Sequence, residues 1–258
     1  MVNEILTLCE NGVLEITFNR PEKKNALNQH MYQALADAFQ RAANDPSIRV
    51  VLIKGAGADF CSGNDLADFS SVMAEPEKLA QQDSPIPAFM AALAEFPKPV
   101  VAAVHGVAVG IGVTLLLHCD LVYASEYTAF SLPFVSLGLR PEYASSYLLP
   151  RLAGHARAAE WLLLGEPFGA DDARMAGMIN KIVANPVEVA REVCEKLSKQ
   201  PSVAVQQTKT LLKQADTLNV QVSMQNELKS FIEGLSSAEF REAVTAFFEK
   251  RPADFSKL

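Results

Sequence analysis

Most of the features that would settle this chain's class at a glance are missing from it. Cysteine is scarce: Cys9, Cys61, Cys119 and Cys194 are all that 258 residues hold. They are spread out with no C-x-x-C pair and no histidine at zinc-finger spacing, which removes a disulfide framework or a structural zinc as the organising device. They read as reduced, mostly buried thiols. His30, His105, His118 and His155 show no metal spacing either, and no metal is expected. Positive charge is in deficit, with 23 Lys and Arg against 30 Asp and Glu for a net −7, so no overall field draws in polyanions and no nucleic-acid partner is expected. Long apolar runs are absent too. The longest, Pro99 to Leu117, holds His105 and three glycines and falls short of the roughly 18 to 20 uncharged residues of a spanning helix. The first dozen residues carry two acids and lack the basic start and apolar run of a secretion signal. The expectation is a soluble protein of a reducing compartment, with no membrane partner.

What is present is ordinary globular composition, 49% hydrophobic, 21% charged and 8% aromatic, enough for one large domain or a domain with an appended subdomain. Two short strands, ILTLC and VLEITF, flank the turn pair Asn11-Gly12 and predict a hairpin. From Asn28 to Asn44, Met31, Leu35, Phe39 and Ala42 recur at helical spacing. Arg49 to Lys54 is a continuous β-branched run, the pattern of a strand covered on both faces. The order is therefore β-β-α-β. Asp59 to Gln82 turns polar and irregular, and mobility is expected near residues 68–84. An apolar helix follows over Ala88 to Phe96, then a buried strand over Pro99 to Val104, a helix-like run from Val113 to Leu117 and a strand from Leu121 to Tyr123. Strands alternate with helices until about Val183, and from Pro186 the pattern is helical only. The predicted class is α/β with a C-terminal helical region, divided near residue 200 into 1–200 and 201–258.

Two glycine turns, Ser62-Gly63-Asn64 and Gly110-Ile111-Gly112, each follow a buried strand and precede helical sequence. Amides at such a place lack helical partners and sit at the positive dipole end, which suits an oxyanion; removing one such donor costs about 3 to 4 kcal/mol of barrier. The same glycines also suit tight turns and close helix packing alone. Glu142, after Pro141 and amid Leu137, Leu139, Tyr143 and Leu148, is either a partly buried carboxyl made more basic by its surroundings or an ordinary first-turn glutamate. Arg20, Lys23 and Lys24 could hold phosphate or be plainly solvated. Ser62 lies in CSGND, not in a nucleophile elbow.

Taken jointly, NRPEKKNALN (19–28), FCSGNDLADF (60–69), KPVVAAVHGVAVGIGVTLLLHCDLVYAS (98–125) and FFEKRPADF (247–255) resemble the crotonase, or enoyl-CoA hydratase/isomerase, superfamily over nearly the whole chain. The resemblance implies a ββα spiral core, a C-terminal helical region that builds homotrimers or hexamers, and an acyl-CoA thioester substrate, coenzyme A being part of that substrate and no separate cofactor. It implies that the amides of Asn64 and Ile111 bind the thioester oxygen. It further implies that Ser62, Gly63, Asp65 and Leu66 form a turn bordering the adenine, that Gly110 shapes the second turn, that Lys24 lies near the coenzyme A phosphates, and that Lys250 is the tail residue that reaches coenzyme A, sometimes across a subunit boundary. Where hydratases of the family carry two catalytic glutamates, this chain has Thr114 and Phe134. Glu142 stands where Δ3,Δ2-enoyl-CoA isomerases carry their glutamate, and SGNDL and GIGVTLL resemble that subgroup. The implied activity is therefore 3-enoyl to 2-enoyl isomerisation in unsaturated fatty acid degradation, with Glu142 as lone base and Phe134 keeping water away. Hydration, another acyl-CoA isomerisation, or binding without turnover are the alternatives. The final Ser256-Lys257-Leu258 would be a peroxisomal address in a eukaryote; the expectation favours a bacterial chain and the cytoplasm.

Overall fold

The computed structural model describes residues 3–67, 75–81 and 84–258. Strands β1 (Ile5–Glu10) and β2 (Val13–Phe18) pair antiparallel around Asn11 and Gly12, both left-handed at φ 52 and 81, the geometry that Asn-Gly adopts cheaply. Helix α1 (Gln29–Asn44) starts where the Asn28 side chain accepts the Met31 amide, and it buries Met31, Tyr32, Leu35 and Phe39. Strand β3 (Val50–Gly55), helix α2 (Pro85–Ala94), strand β4 (Val100–Val104), strand β5 (Val107–Val109) and the short helix α3 (Ile111–Thr114) follow. Next come β6 (Leu121–Ala124), β7 (Ala129–Ser131), α4 (Ser145–Ala153), α5 (His155–Leu164), β8 (Phe168–Gly169), α6 (Ala170–Met175) and β9 (Lys181–Ile182). The chain closes with α7 (Pro186–Ser198), α8 (Ser202–Lys213), α9 (Thr217–Leu235) and α10 (Ala238–Glu249).

Among the described residues the strands form a sheet in the order β1-β2-β3-β4-β6-β9 and a smaller one in the order β5-β7-β8. From β2 onward the neighbours of the large sheet run parallel. Alternation explains its unbroken apolar runs. Ile16, Phe18, Val51, Ile53, Ala102 and Val104 face the main core, while Val13, Val50, Leu52, Val101 and Ala103 face Ala190 and Cys194 of α7. Successive turns of the chain give one strand to each sheet, so β4 is followed by β5 and β6 by β7.

Strands β5, β7, β8 and β9 go beyond what periodicity predicts, being two or three residues long. Helix α2 begins at Pro85 rather than Ala88, and the helical run read from Val113 begins at Ile111 and continues as a 3-10 turn over Leu115–His118. Cys9 is exposed on the edge strand, unlike Cys61 and Cys194, and all four thiols are free. Of the segment expected to be mobile, 68–74 and 82–83 lie outside the described residues, while Pro76–Ala80 forms a 3-10 turn that buries Leu79. No helix among the described residues is long and apolar enough to cross a membrane, and no cluster of His, Cys, Asp or Glu there is placed to hold a metal ion.

Candidate active site

Main-chain pairing brings the two glycine turns together. Beyond β3 the chain bends to Cys61, whose amide donates to Val107 O at 3.1 Å and whose carbonyl accepts from Val109 N at 2.9 Å. A Cβ on Gly112 would lie 2.5 Å from Cys61 O, and one on Gly63 3.2 Å from Val109 O, so these glycines let the two backbones approach. Gly110 adopts φ 54 and ψ −117, a conformation that L side chains rarely reach. On the other flank Leu27 N donates to Gly63 O, Asp65 N to Leu27 O and Ser62 N to Lys24 O. Arg20 binds the Asp65 carboxylate at 2.9 Å and Ala26 O at 2.8 Å, and buried Tyr32 donates its hydroxyl to Asn64 Oδ1 at 2.6 Å. The Asp65 amide donates to Leu27 O and the Gly110 amide to Ser131 O, whereas those of Asn64 and Ile111 donate to no acceptor among the described residues. They are unspent donors beside each other's turns.

Glu142 arrives by a different route. It is not in the first turn of a helix: α4 starts at Ser145, and between them Tyr143 and Ala144 are both left-handed, φ 62 and 56. Two non-glycine residues in that region cost on the order of 1–3 kcal/mol each and persist only where surroundings over-determine them. Here Tyr143 donates its hydroxyl to Met90 O at 2.8 Å, and its own carbonyl accepts from His118 Nε2 at 2.8 Å, with the two rings stacked 3.9 Å apart. Ser145 donates its hydroxyl to Glu142 O at 2.6 Å. Thr114, at the end of the helix that Ile111 begins, donates to Glu142 Oε1 at 2.5 Å. Glu142 is 7% exposed. Burial pushes its carboxyl up to about 8, the negative charge of Glu227 pushes the same way, and the Thr114 hydrogen bond opposes both. The buried Tyr32 and Tyr143 hydroxyls are held well above their ordinary value by the same desolvation, so they remain neutral.

Asn64 and Glu142 share the wall of a cavity of about 890 Å³, whose apolar lining includes Met90, Leu148, Met224 and Leu228. A mostly apolar cavity with Glu142 and Asn64 on its wall, the Ile111 turn packed against that of Asn64, is suited to moving a proton next to a carbonyl. Residues 9–257 match the model of the family described as Enoyl-CoA hydratase/isomerase.

The chain belongs to that family.

It is 35% identical to the 1,2-epoxyphenylacetyl-CoA isomerase of Escherichia coli (strain K12), over 99% of each chain. It is likewise 35% identical to enoyl-CoA delta isomerase 2 of Rattus norvegicus, over 96% of this chain but 64% of that longer protein. The crystal structure of an enoyl-CoA hydratase/isomerase from Pseudoalteromonas atlantica T6c superposes with a TM-score of 0.92 at 40% identity, covering 98% of this chain and 100% of that one. The fold is the family's α/β crotonase fold.

The other residues singled out from the sequence separate into two groups. Ser62, Gly63, Asn64, Asp65 and half-buried Leu66 form one turn with Lys24, which is exposed, left-handed at φ 49 and bonded through its carbonyl to Ser62 N. Gly110 and Ile111 form the second turn against it. Phe134 and Lys250 are not brought in. Phe134 is buried in the main core and is not on the cavity wall; its carbonyl fixes Leu137 and Leu139. The apolar side chains that share the cavity wall with Glu142 include Met90, Leu148, Met224 and Leu228. Lys250 is an exposed left-handed cap at the end of α10, away from that wall within one chain. Thr114, Tyr32 and Glu227 are the site residues that sequence reasoning missed. Thr114 entered it only as a missing glutamate.

Proposed function

We propose that this member of the enoyl-CoA hydratase/isomerase family is a Δ3,Δ2-enoyl-CoA isomerase acting in unsaturated fatty acid degradation. The observation that carries the reading is a buried carboxyl on the cavity wall, Glu142, hydrogen-bonded to a threonine at the place where a second carboxyl would be needed to add water. The relative named an enoyl-CoA delta isomerase supports it.

In this reading the thioester oxygen takes the free amides of Asn64 and Ile111, and the acyl chain lies in the cavity. The Glu142 carboxylate removes a proton from C2. The electrons of that C–H bond form the C1–C2 double bond, and the carbonyl pair moves onto oxygen, where the two amides hold the dienolate. As the oxygen pair returns to re-form the carbonyl, the C1–C2 pair becomes the C2–C3 double bond and the C3–C4 pair takes the proton from Glu142 at C4, so nothing is gained or lost. A base near 8 suits both steps, since it accepts the proton and gives it up without a large penalty either way. The 62–66 turn borders the adenine, Lys24 meets the phosphates, Lys250 reaches coenzyme A across a subunit boundary, and coenzyme A comes and goes as substrate with no resident cofactor. The assembly in this proposal is a homotrimer or a dimer of trimers built by residues 201–258. Exposed Leu211, Leu212 and Leu218 on α8 and α9 are consistent with a covered face. Placement follows the source: cytoplasm in a bacterium, peroxisomal matrix in a eukaryote.

The test is incubation with trans-3-hexenoyl-CoA and, separately, trans-2-hexenoyl-CoA, followed by mass and by conjugated-enoyl absorbance. Conversion of the 3-enoyl ester at constant mass is expected. Rapid gain of one water by the 2-enoyl ester would replace the isomerase reading with a hydratase, and unchanged esters that nonetheless bind would point to a non-catalytic member.

A further inference from the structure

The strained pair Tyr143–Ala144 has a dedicated clamp that is remote in sequence. Glu227, in the middle of α9 and 7% exposed, turns inward against the start of α4. One carboxylate oxygen accepts the Ala144 amide at 2.5 Å; the other accepts the Ser146 amide at 2.9 Å and also the Ser146 hydroxyl. A helix begins with orphan amides, and an acidic side chain there both satisfies them and complements the dipole. Here the cap comes from another helix because the residue at the cap position, left-handed Ala144, has no side-chain acceptor.

We propose that Glu227 is the positioning residue of the Glu142 base, fixing the left-handed turn that aims the carboxyl at Thr114 and the cavity while setting the electrostatic field in which that carboxyl works. This rests on Glu142 being the base. Thr114 from α3, Tyr32 from α1, Tyr143 from the turn itself and Glu227 from α9 are the polar and ionisable groups that act on Glu142. Both tyrosines are neutral, and His118, stacked on Tyr143, is pushed down to about 3 by burial and is neutral as well. Glu227 is the group that brings charge. Burial raises its own carboxyl, and the donors from Ser146 and Ala144 oppose that shift. Because α9 also lines the cavity through Met224 and Leu228, the element that contacts substrate is the one that holds the base in place.

Two variants separate geometry from field. Glu227→Gln removes the charge and one acceptor; Glu227→Asp keeps the charge but is too short to span both amides. Each is examined for isomerase kcat, for the acid limb of kcat/KM, and for Glu142 ionisation by carbon NMR of protein labelled at the glutamate carboxyl, assigned with Glu142→Gln. For Glu227→Gln the expected result is a kcat about tenfold lower, with acid limb and Glu142 titration both displaced downward by roughly half a unit. Glu227→Asp restores the titration and leaves kcat low. A folded Glu227→Gln protein with wild-type kcat and wild-type titration overturns the proposal. If that variant does not fold, wild-type kcat in Glu227→Asp overturns it. A wild-type protein that does not isomerise, yet whose Glu142 titration moves with Glu227→Gln, overturns the proposed activity and leaves this inference standing.

Discussion

At the oxyanion end the two turns are closed by main chain against main chain, Cys61 with Val107 and Val109, Leu27 with Gly63 and Asp65. At the base end the carboxyl is aimed by side chains, Thr114, Ser145 and, through the backbone it holds, Glu227. In the first half the donors are amides common to every residue, and side chains such as Arg20, Asp65 and Tyr32 brace the turn from outside. The second half differs: each group that touches Glu142 alters both where the carboxyl sits and how readily it takes a proton. One fold can therefore keep a fixed pair of amide-bearing turns and vary its chemistry through a few side chains at the other end of the site.

The sharpest way to test that division is Glu142→Gln, which removes the base and leaves the clamp. Turnover of a 3-enoyl-CoA should fall about a thousandfold while a saturated acyl-CoA still binds in calorimetry; near-wild-type turnover would mean another group does the work. Next is Gly112→Ala, which places a methyl 2.5 Å from Cys61 O and pushes the turns apart. We expect about a hundredfold loss in kcat/KM, against no loss for Gly169→Ala, where nothing lies within 4 Å. Thr114→Val should lower kcat about tenfold and, by deleting a hydrogen bond that favours the ionised carboxylate, move the acid limb of the pH profile above its wild-type position. That displacement is opposite in direction to the one expected for Glu227→Gln, so two neighbours of one carboxyl pull its profile apart.

The smallest effect is on stability. The native Glu142 carboxyl lies at about 8 against 4.5 for an ordinary one, so between those values the folded state holds a proton that the unfolded state has released. Stability contributed at this position is therefore greatest below about 4.5 and is lost as pH rises through about 8. Melting curves of Glu142→Gln should be flatter over that range and a few degrees higher at its alkaline end, and a variant that tracks wild type throughout would remove the buried-carboxyl account.

Sequence pattern exposed the first half of the site better than the second. The hairpin, α1, β3 and β4 were legible from turn chemistry and periodicity, and the glycines at 63, 110 and 112 pointed to the two amides because backbone demands show up as residue type. Strands β5, β7 and β8 were not legible, since three residues or fewer carry no period and are fixed by partners such as Cys61 and Phe168 far along the chain. Glu142 was picked out by its apolar neighbours, but the two left-handed residues after it were hidden, Tyr and Ala being poor advertisements for that conformation. Nothing in the sequence sets Glu227 apart from the other charges of its helix. Only tertiary packing turns it inward.

The clamp on the base has a consequence for the chain as it is made. Ala144 and Glu227 are 83 residues apart, whereas the two glycine turns and the strands that join them all lie before residue 115. A ribosome releasing the protein from its N-terminus therefore exposes both glycine turns long before the last piece that seats the Glu142 carboxyl. The cavity wall and the clamp on Ala144 close together, when α9 has emerged and docked.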